Sequence, residues 1–371
     1  MDPTHEIELT EPVSLCLSDG KTLNPRARGW SRQPLHRANM RGVWGRTKRW
    51  DYWAILSRDL VFGIVYADVD FIGLASVWWA DLRSGRSGGS EVVSPFARAM
   101  NLPEVPGSHP LSYAGSKLSL RLVDSPSADA HSVDSPSVGP PSGNSPSGNP
   151  SGPKTVHITA EWTEPGRVPA SLDLTVTHPI GHESLNVVIP WSTSRYNFTT
   201  KDQALPTVGT FTLGSESFDI GGEGDPAWGV LDVGRGRWPY STRWNWGGGA
   251  GYATTGERIG IQFGAKWTEG TGFTENGVTV DGRLHKIGRE LDWDYSWDDP
   301  MRPWHVRDSQ GAVDLRLVPR FDKHTSLSAV VLSTKVHQVF GTWSGNVRGE
   351  DGATYEIVDA PGFAEECRNR W

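Results

Sequence analysis

The sequence predicts an all-β protein made of two consecutive β domains, each a barrel or a sandwich, with few short helices. Short stretches in which apolar and polar residues alternate recur along the chain, and that period is typical of half-buried strands. No sustained helical period interrupts them. The 371 residues include 43 glycines and 26 prolines but only 36% hydrophobic residues, which favours many turns and half-buried strands over buried helices.

The first domain is expected to span residues 1–205. One short helix is predicted at residues 94–100, because Ser94 is a favourable N-cap and Pro95 a favourable first helical residue. The strands are predicted where the alternation is clearest, at residues 13–17, 48–56, 60–66, 71–79, 117–123, 155–162, 172–177 and 185–190.

Residues 124–153 interrupt this pattern with three ten-residue stretches that begin DSPS, DSPS and NSPS. Serine, proline and glycine make up 20 of these 30 residues, a composition that cannot bury a core and favours disorder. Alternating strands are predicted on both sides of the insert. It is therefore interpreted as a disordered expansion of a β-hairpin loop, which costs little loop-closure entropy, and not as a linker between domains.

The second domain is expected to span residues 206–371 and to consist of similar strands. A final hairpin is predicted to pair residues 339–347 with residues 355–358 around the turn sequence Glu350-Asp-Gly. Its other strands are predicted at residues 207–213, 258–267, 312–318 and 327–334.

Charge and composition argue against several classes of partner. The net charge of −7 disfavours binding to nucleic acid or to an anionic membrane, and no apolar stretch approaches the roughly 18 residues of a membrane span. The first ten residues are polar and do not resemble a signal peptide, so a cytoplasmic location without stable membrane insertion is expected. The sequence does not indicate an oligomeric state.

No cofactor is expected, because the chain contains no phosphate-binding loop and no dinucleotide-binding fingerprint. No metal site is expected either, since the eleven histidines show no metal-ligand spacing. Cys16 and Cys367 lie near opposite ends of the chain. They could form one bridge, but two free thiols are the favoured interpretation.

The segment 232–246 is the densest group of chemically informative residues, with three of the 18 tryptophans, three arginines and one aspartate. We interpret Asp232 as a candidate catalytic acid, with aromatic faces nearby that would stabilise developing positive charge. The alternative is that Asp232 is the structural partner of a neighbouring arginine. The candidate ligand-binding residues of the chain are Trp50, Trp53, Trp238, Tyr240, Arg243, Trp244, Trp246 and His337.

The spacing within this segment also predicts which side chains share a face. Trp244 and Trp246 are two residues apart, so in an extended strand their rings lie on the same face. Arg243 and Asn245 then lie on the other face. We expect the aromatic face to line a cavity of the second domain together with Trp238 and Asp232.

Residues 275–285 form a second group, in which Glu275, Asp281 and His285 are further candidate catalytic residues. Asp281 begins a turn sequence, and His285 follows on the next predicted strand. The stretch 292–299 then alternates acids with aromatic residues. That pattern is typical either of a sugar-binding groove or of an exposed edge strand that carries charges.

Several stretches resemble a known family over nearly the whole chain apart from the insert. The family is catalogued as domain of unknown function 2804, and the matching stretches are residues 23–32, 48–53, 186–201, 232–246, 274–277, 280–286, 337–341 and 362–366.

A more distant resemblance is to the lipocalin-like superfamily of tocopherol cyclase and carotenoid hydratase. Gly236, Trp238, Pro239, Trp244 and Trp246 are similar to the Trp-Gly … Pro … Trp-x-Trp signature in the second β-barrel of those proteins, although the order of glycine and tryptophan differs. The resemblance implies two lipocalin-like β-barrels and a bulky, largely apolar ligand. It also implies protonation or hydration of an alkene.

Three interpretations of function follow. The first is a lipocalin-like protein that binds a bulky apolar molecule in a tryptophan-rich cavity and transforms it by acid-base cyclisation or hydration. The second is a carbohydrate-active protein that uses tryptophan platforms and paired carboxylates. The third is a binding protein of the same fold without catalytic activity.

Overall fold

The computed structural model describes residues 5–125, 152–328 and 333–370, and within these ranges the protein is all-β. These residues form 24 strands and a single 3-10 helix, Pro25–Ala27. The side chain of Asn24 caps this helix by accepting a hydrogen bond from the backbone N–H of Arg26. The predicted fold class is confirmed, because two large antiparallel sheets, each curled like half a barrel, account for most of the chain.

Fifteen strands lie in the chain before Trp238. They are β1 (Val13–Ser14), β2 (Trp30–Ser31), β3 (His36–Arg37), β4 (Thr47–Leu56), β5 (Leu60–Asp68), β6 (Ile72–Asp81), β7 (Ser87–Pro95), β8 (Leu111–Ala114), β9 (Leu118–Ser125), β10 (Lys154–Glu164), β11 (Val168–His178), β12 (Leu185–Pro190), β13 (Tyr196–Leu213), β14 (Glu216–Ile220) and β15 (Ala227–Arg237).

Nine further strands follow. They are β16 (Ser241–Tyr252), β17 (Arg258–Ala265), β18 (Asn276–Val280), β19 (Arg283–Ile287), β20 (Asp292–Asp294), β21 (Trp304–Arg307), β22 (Val313–Ser328), β23 (Ser333–Arg348) and β24 (Thr354–Arg370).

The first sheet has 13 strands in the order β7-β6-β5-β4-β15-β13-β11-β10-β9-β8, with β12 and β14 paired to β13 and β2 paired to β12. It curls until its edges approach each other, since the Ser90 hydroxyl donates to the Lys117 carbonyl over 3.1 Å. The enclosed face is an apolar core with Phe62, Trp162 and Phe211 among its large members. Strands β1 and β3 form a separate parallel pair.

The second sheet has nine strands in the order β19-β18-β17-β16-β24-β23-β22-β21-β20. Alternation builds its core, as in β22, where Leu315 and Leu317 are buried and Arg316 between them is exposed. Trp304 and Trp343 are fully buried in the same core.

The chain passes from the first sheet to the second between Arg237 and Ser241. The boundary expected at residues 205 and 206 lies inside β13, which belongs to the first sheet over its whole length. That the two sheets are independent domains stays a prediction.

Two predicted hairpins are present. Strands β9 and β10 pair in antiparallel register up to Ser125 opposite Thr155, so the strands on both sides of the low-complexity insert are neighbours. Most of the insert, residues 126–151, lies outside the described residues. At the end of the chain, β23 pairs with β24 across the turn that contains Glu350.

The short helix predicted at residues 94–100 is wrong. Ser94 and Pro95 end strand β7, and Phe96 and Ala97 have φ values of 58° and 50°, which a right-handed helix excludes. Packing explains the turn, since it places the Met100 side chain against Gly73 of β6, where an added Cβ would lie 2.4 Å from Met100 Cγ.

The strand predicted at residues 327–334 is also wrong as a single element. Strand β22 ends at Ser328, β23 begins at Ser333, and these two residues face each other in the register. The predicted strand therefore includes the facing ends of two different strands, and its residues 329–332 lie outside the described part of the chain.

Cys16 and Cys367 are both buried free thiols. Cys16 Sγ lies 2.9 Å from the hydroxyl of Tyr196. In the part of the chain that the structure covers, no helix has the length and apolar character needed to span a membrane.

Three neighbouring strands, β4, β13 and β15, present different residues on their two faces. The face toward the core of the first sheet carries Trp53, Asp202 and Val233. The opposite face, toward the second sheet, carries Tyr52, Lys201 and Asp232. This alternation positions the candidate site.

Candidate functional site

Two rows of polar and aromatic side chains face each other between the sheets. On the first sheet, Lys201, Asp232 and Tyr52 lie side by side in register on β13, β15 and β4. On the second sheet, Gln338, Glu365 and Trp246 do so on β23, β24 and β16. We call these six side chains, together with Glu275, the inter-sheet site.

Tyr52 joins the two rows. Its hydroxyl lies 3.5 Å from Gln338 Oε1, and its ring meets the Trp246 ring edge-on with centroids 5.5 Å apart. The two sheets therefore contact each other directly at this site, through side chains that alternation directs out of each sheet.

Lys201 is the cation of the site. Its Nζ lies 2.9 Å from Asp232 Oδ1 and 3.4 Å from Glu275 Oε2, and it stands 4.4 Å from the centroid of the Trp246 ring. Burial alone would lower its pKa, but the charges of Asp232 and Glu275 outweigh burial and raise it. Lys201 is therefore held as an ammonium.

Asp232 is buried and receives several donors. Trp50 Nε1 donates to Oδ2 over 3.1 Å and the Thr199 hydroxyl to Oδ1 over 3.2 Å, in addition to the contact with Lys201. Gly234 makes room for this arrangement, since a Cβ there would lie 2.0 Å from Trp50 Cζ2. Asp232 thus has a partner, but that partner is a lysine from another strand.

The three nearby arginines are bound elsewhere. Arg235 Nη2 lies 2.6 Å from Asp51 Oδ1 on the other face of the first sheet. Arg237 donates to backbone carbonyls, including that of Lys21 at 2.6 Å. Arg243 pairs with Glu366 at 2.5 Å. The arginine partner considered for Asp232 is therefore not present in the described structure.

Glu275 is the most enclosed acid of the site, with 1% of its surface exposed. Trp267 Nε1 donates to its Oε1 over 2.6 Å. Burial raises the pKa of Glu275 to about 7 even though Lys201 opposes the shift. Gly264 leaves space for this side chain, because a Cβ there would lie 2.0 Å from Glu275 Oε1.

Glu365 is a second acid with a raised pKa, and it is less enclosed, with 8% of its surface exposed. Trp244 Nε1 donates to Oε1 over 2.7 Å, and this is the one hydrogen bond that the carboxyl group makes within the described residues. Burial raises its pKa to about 7, because Trp244, Lys323 and Lys201 compensate only part of the desolvation. Near neutral pH, a large fraction of Glu365 is therefore a neutral acid.

Aromatic rings surround these groups. Trp238 packs against several of them, with centroid distances of 5.6 Å to Trp50, 5.7 Å to Trp244 and 5.2 Å to Trp267. Trp246 is fixed by its Nε1, which donates to Gln262 over 3.0 Å. The rings that stay half-buried at the edge of the site are Trp50, Tyr52, Trp78, Trp244 and Phe321.

The faces predicted within the segment 232–246 are as expected. Trp244 and Trp246 both turn toward the Glu365 side, whereas Asn245 donates to the Glu365 backbone carbonyl over 3.0 Å and Arg243 pairs on the opposite face. The segment does not belong to one domain, however. Asp232 lies on the first sheet and the two tryptophans on the second, so the segment crosses between the sheets.

Five other sequence candidates lie apart from this site. Trp53 faces the core of the first sheet, 6.3 Å from the His178 ring. Asp281 accepts from the Arg258 backbone in a turn, and His285 Nδ1 accepts from the Glu350 backbone. Tyr240 is 47% exposed in the connection between the sheets. His337 pairs with Asp322 at 2.8 Å on the face of β23 opposite to Gln338.

The alternating stretch at residues 292–299 includes the edge strand β20. Its rings are engaged within the protein: Tyr295 stacks on Trp304 with centroids 4.0 Å apart, and Trp297 contacts both His337 and Arg368. The edge-strand interpretation describes this stretch better than an open sugar-binding groove does.

Sequence reasoning missed Lys201 and Glu365 as site residues. Glu365 lies 120 positions from Asn245, whose side chain binds its backbone, so no local spacing reveals the contact. One signal was available, since Glu365 and Glu366 are consecutive acids between Ala364 and Cys367, and alternation directs neighbouring side chains of a strand to opposite faces of the sheet.

No group of three or more metal-binding side chains converges anywhere in the described ranges. No curated protein matches the sequence. The sequence model of the family described as "Domain of unknown function (DUF2804)" matches residues 6–371.

Solved structures show weaker likenesses. Kievitone hydratase from Nectria haematococca is 11% identical, with 88% of this chain and 89% of that chain covered and a TM-score of 0.45. CghA with Sch210972 is 13% identical, with 87% of this chain and 88% of that chain covered and a TM-score of 0.42.

Proposed function

We propose that this chain, which belongs to the family described as domain of unknown function (DUF2804), binds a bulky and largely apolar small molecule at the inter-sheet site and transfers a proton to it from Glu365. The observation that carries the proposal is the Glu365 carboxyl group, whose pKa is raised to about 7 by burial beside half-buried aromatic rings. A general acid works best when its pKa lies near the working pH.

The step is protonation of a carbon–carbon double bond. A C–H bond forms with the proton of Glu365, the π bond breaks, and a carbocation remains beside the Glu365 carboxylate. Capture of that cation by an internal group gives cyclisation, and capture by water gives hydration. In both cases loss of a proton to the Glu365 carboxylate completes the reaction and restores the acid. The face of Trp244, which stays half-buried at this site, can stabilise the positive charge as it develops.

The remaining charged groups have supporting roles in this proposal. Asp232 anchors Lys201 and compensates its charge, so the cation of the protein does not repel the developing cation of the ligand. Glu275 also has a raised pKa, but only 1% of its surface is exposed against 8% for Glu365. Glu365 is therefore better placed to reach a ligand.

The experiment begins with small molecules that copurify with the chain, extracted and identified by mass spectrometry. Each is then incubated with the protein in deuterium oxide. Proton transfer to carbon places deuterium in the product in the presence of the wild type but not of Glu365→Gln. Glu366→Gln is the matched control, because this neighbour lies on the other face of the sheet.

Two results decide between the interpretations. If a molecule binds but no deuterium enters it, the chain is a binding protein without this activity. If Glu365→Gln incorporates deuterium as fast as the wild type, the acid is another residue and the role given to Glu365 is wrong.

A further inference from the structure

We propose that the chain has a second small-molecule site inside the first sheet, separate from the inter-sheet site. It is a cavity that takes a neutral single-ring molecule and accepts a hydrogen bond from the hydroxyl group of that molecule at His178 Nε2. The cavity lies on the opposite face of β4, β13 and β15 from Lys201 and Asp232.

The size and walls of the cavity set the class of ligand. Its volume is about 150 Å³. An apolar protein cavity of roughly 150 Å³ is known to hold benzene, so a six-membered ring fits this space. Much of the wall is apolar, with Trp53, Leu111, Leu122, Val156, Leu231 and Val233.

One polar feature of the wall is a histidine held by an aspartate. His178 Nδ1 lies 3.1 Å from Asp202 Oδ2, and His182 Nε2 lies 2.7 Å from Asp202 Oδ1. Burial would raise the pKa of Asp202, but its contacts with His182 and His178 outweigh burial and hold that pKa well below its ordinary value. Because a carboxylate only accepts, a neutral imidazole at His178 carries its proton on Nδ1, and one at His182 carries it on Nε2.

The other nitrogen of His178 is then an acceptor. Its Nε2 is buried and meets no hydrogen-bond partner among the residues described. A buried acceptor left unpaired costs free energy, so this atom favours a ligand that brings a donor. The His178 ring also lines the cavity and stands nearly perpendicular to the Trp53 ring, at 81°.

The charges around the cavity favour a neutral ligand. Asp51 pairs with Arg235 at 2.6 Å, and Asp124 pairs with Lys154 at 2.5 Å. Together with Asp202, three carboxylates line the cavity, so an anionic ligand would meet like charges. A ring with one hydroxyl group matches both the apolar walls and the acceptor.

The test uses the full chain and three probes of similar size: phenol, anisole and toluene. Phenol can donate a hydrogen bond, whereas anisole and toluene cannot. Titration calorimetry should show one phenol bound per chain, about tenfold more tightly than anisole, which is the effect of matching one buried acceptor. Equal binding of phenol and anisole would overturn the proposal, and so would the absence of saturable binding by all three probes.

Variants assign the contact to His178. His178→Phe keeps a ring of similar size but removes Nε2. Phenol and anisole should then bind with about equal affinity, while toluene binding persists. His157→Phe is the matched control, since His157 also pairs with an aspartate of this sheet, Asp173 at 2.7 Å, but is half-exposed. A preference for phenol that survives in His178→Phe would overturn the assignment.

A further variant tests the place of binding. Val233→Met fills part of the cavity and should weaken the binding of all three probes. Unchanged affinities would show that the probes bind elsewhere. If His178→Phe does not fold, the ratio of phenol to anisole affinity in the wild type still tests the hydroxyl contact.

Discussion

Glu365 and Glu366 are neighbours in β24 whose carboxyl groups lie on opposite faces of the second sheet. Their surroundings shift their pKa values in opposite directions. Burial beside Trp244 raises the pKa of Glu365 to about 7. Burial also acts on Glu366, but hydrogen bonds from Arg243 and Arg368 outweigh it and lower that pKa to about 2. Near pH 7 a large fraction of Glu365 is therefore neutral, whereas Glu366 is ionised.

This contrast predicts how Glu365→Gln changes stability with pH. Because the pKa of Glu365 is raised above its unfolded value of 4.5, its ionisation destabilises the fold as pH rises through 7 and has no effect below about 4.5. Glutamine removes that ionisation. Relative to the wild type, the free energy of unfolding of Glu365→Gln should therefore rise by about 2–3 kcal/mol between pH 5 and pH 8.5. Urea unfolding of both proteins at the two pH values measures this change. If the free energies of unfolding of variant and wild type differ by the same amount at both pH values, the pKa of Glu365 is not raised.

Glu366→Gln should show the reverse dependence. The lowered pKa of Glu366 means that its ionised form stabilises the fold above about pH 4.5 and that this stabilisation is lost as pH falls toward 2. The variant should be less stable than the wild type at pH 7, and the difference should narrow below pH 4. Thermal unfolding at pH 7 and pH 3 measures this. If the difference in stability between variant and wild type is the same at both pH values, the ion pairs with Arg243 and Arg368 are not the cause of that difference.

Local alternation predicted a large part of this structure. It gave the pairing of the strands around the insert and the shared face of Trp244 and Trp246, since both depend on residues close in sequence. It could not place Asp232 and Trp246 on different sheets, because the change of sheet depends on the order of strands. The contact of Lys201 with Glu275, 74 positions apart, likewise depends on the packing of one sheet on the other.

The Lys201–Asp232 pair predicts strong coupling between the two residues. Removing one partner leaves a buried, uncompensated charge, so Lys201→Met and Asp232→Asn should each destabilise the fold by about 3–5 kcal/mol. The double variant should be less destabilised than the sum of the two, by about 1–3 kcal/mol. A double-mutant cycle from urea unfolding measures this coupling. Additive effects would mean that the pair does not act as a unit and would weaken the anchoring role proposed for Asp232.

The register of β9 and β10 predicts that residues 126–151 can be replaced. The two strands pair up to Ser125 opposite Thr155, so a four-residue turn could connect them. A shorter loop also costs slightly less closure entropy. The melting temperature of this variant should lie within about 5 °C of the wild type, a window of roughly 1 kcal/mol. A larger fall would mean that the replaced segment contributes to the packing of the fold.

The substitution Gly234→Ala tests how the Trp50 side chain is held in place at the site. The φ of Gly234 is not positive, so the backbone there accepts alanine, but an added Cβ would lie 2.0 Å from Trp50 Cζ2. Gly234→Ala should therefore displace Trp50 and break its 3.1 Å hydrogen bond to Asp232, with a loss of about 1–3 kcal/mol of stability from overpacking.

A second variant shows whether Trp50 is the cause. Trp50→Phe shortens the ring and removes the clash, so adding Gly234→Ala in that background should cost less than it does in the wild type. Urea unfolding of the four proteins in this cycle measures the difference. If alanine at position 234 costs as much beside phenylalanine as beside tryptophan, the strand backbone requires the glycine, and the Trp50 indole does not depend on it for its position against Asp232.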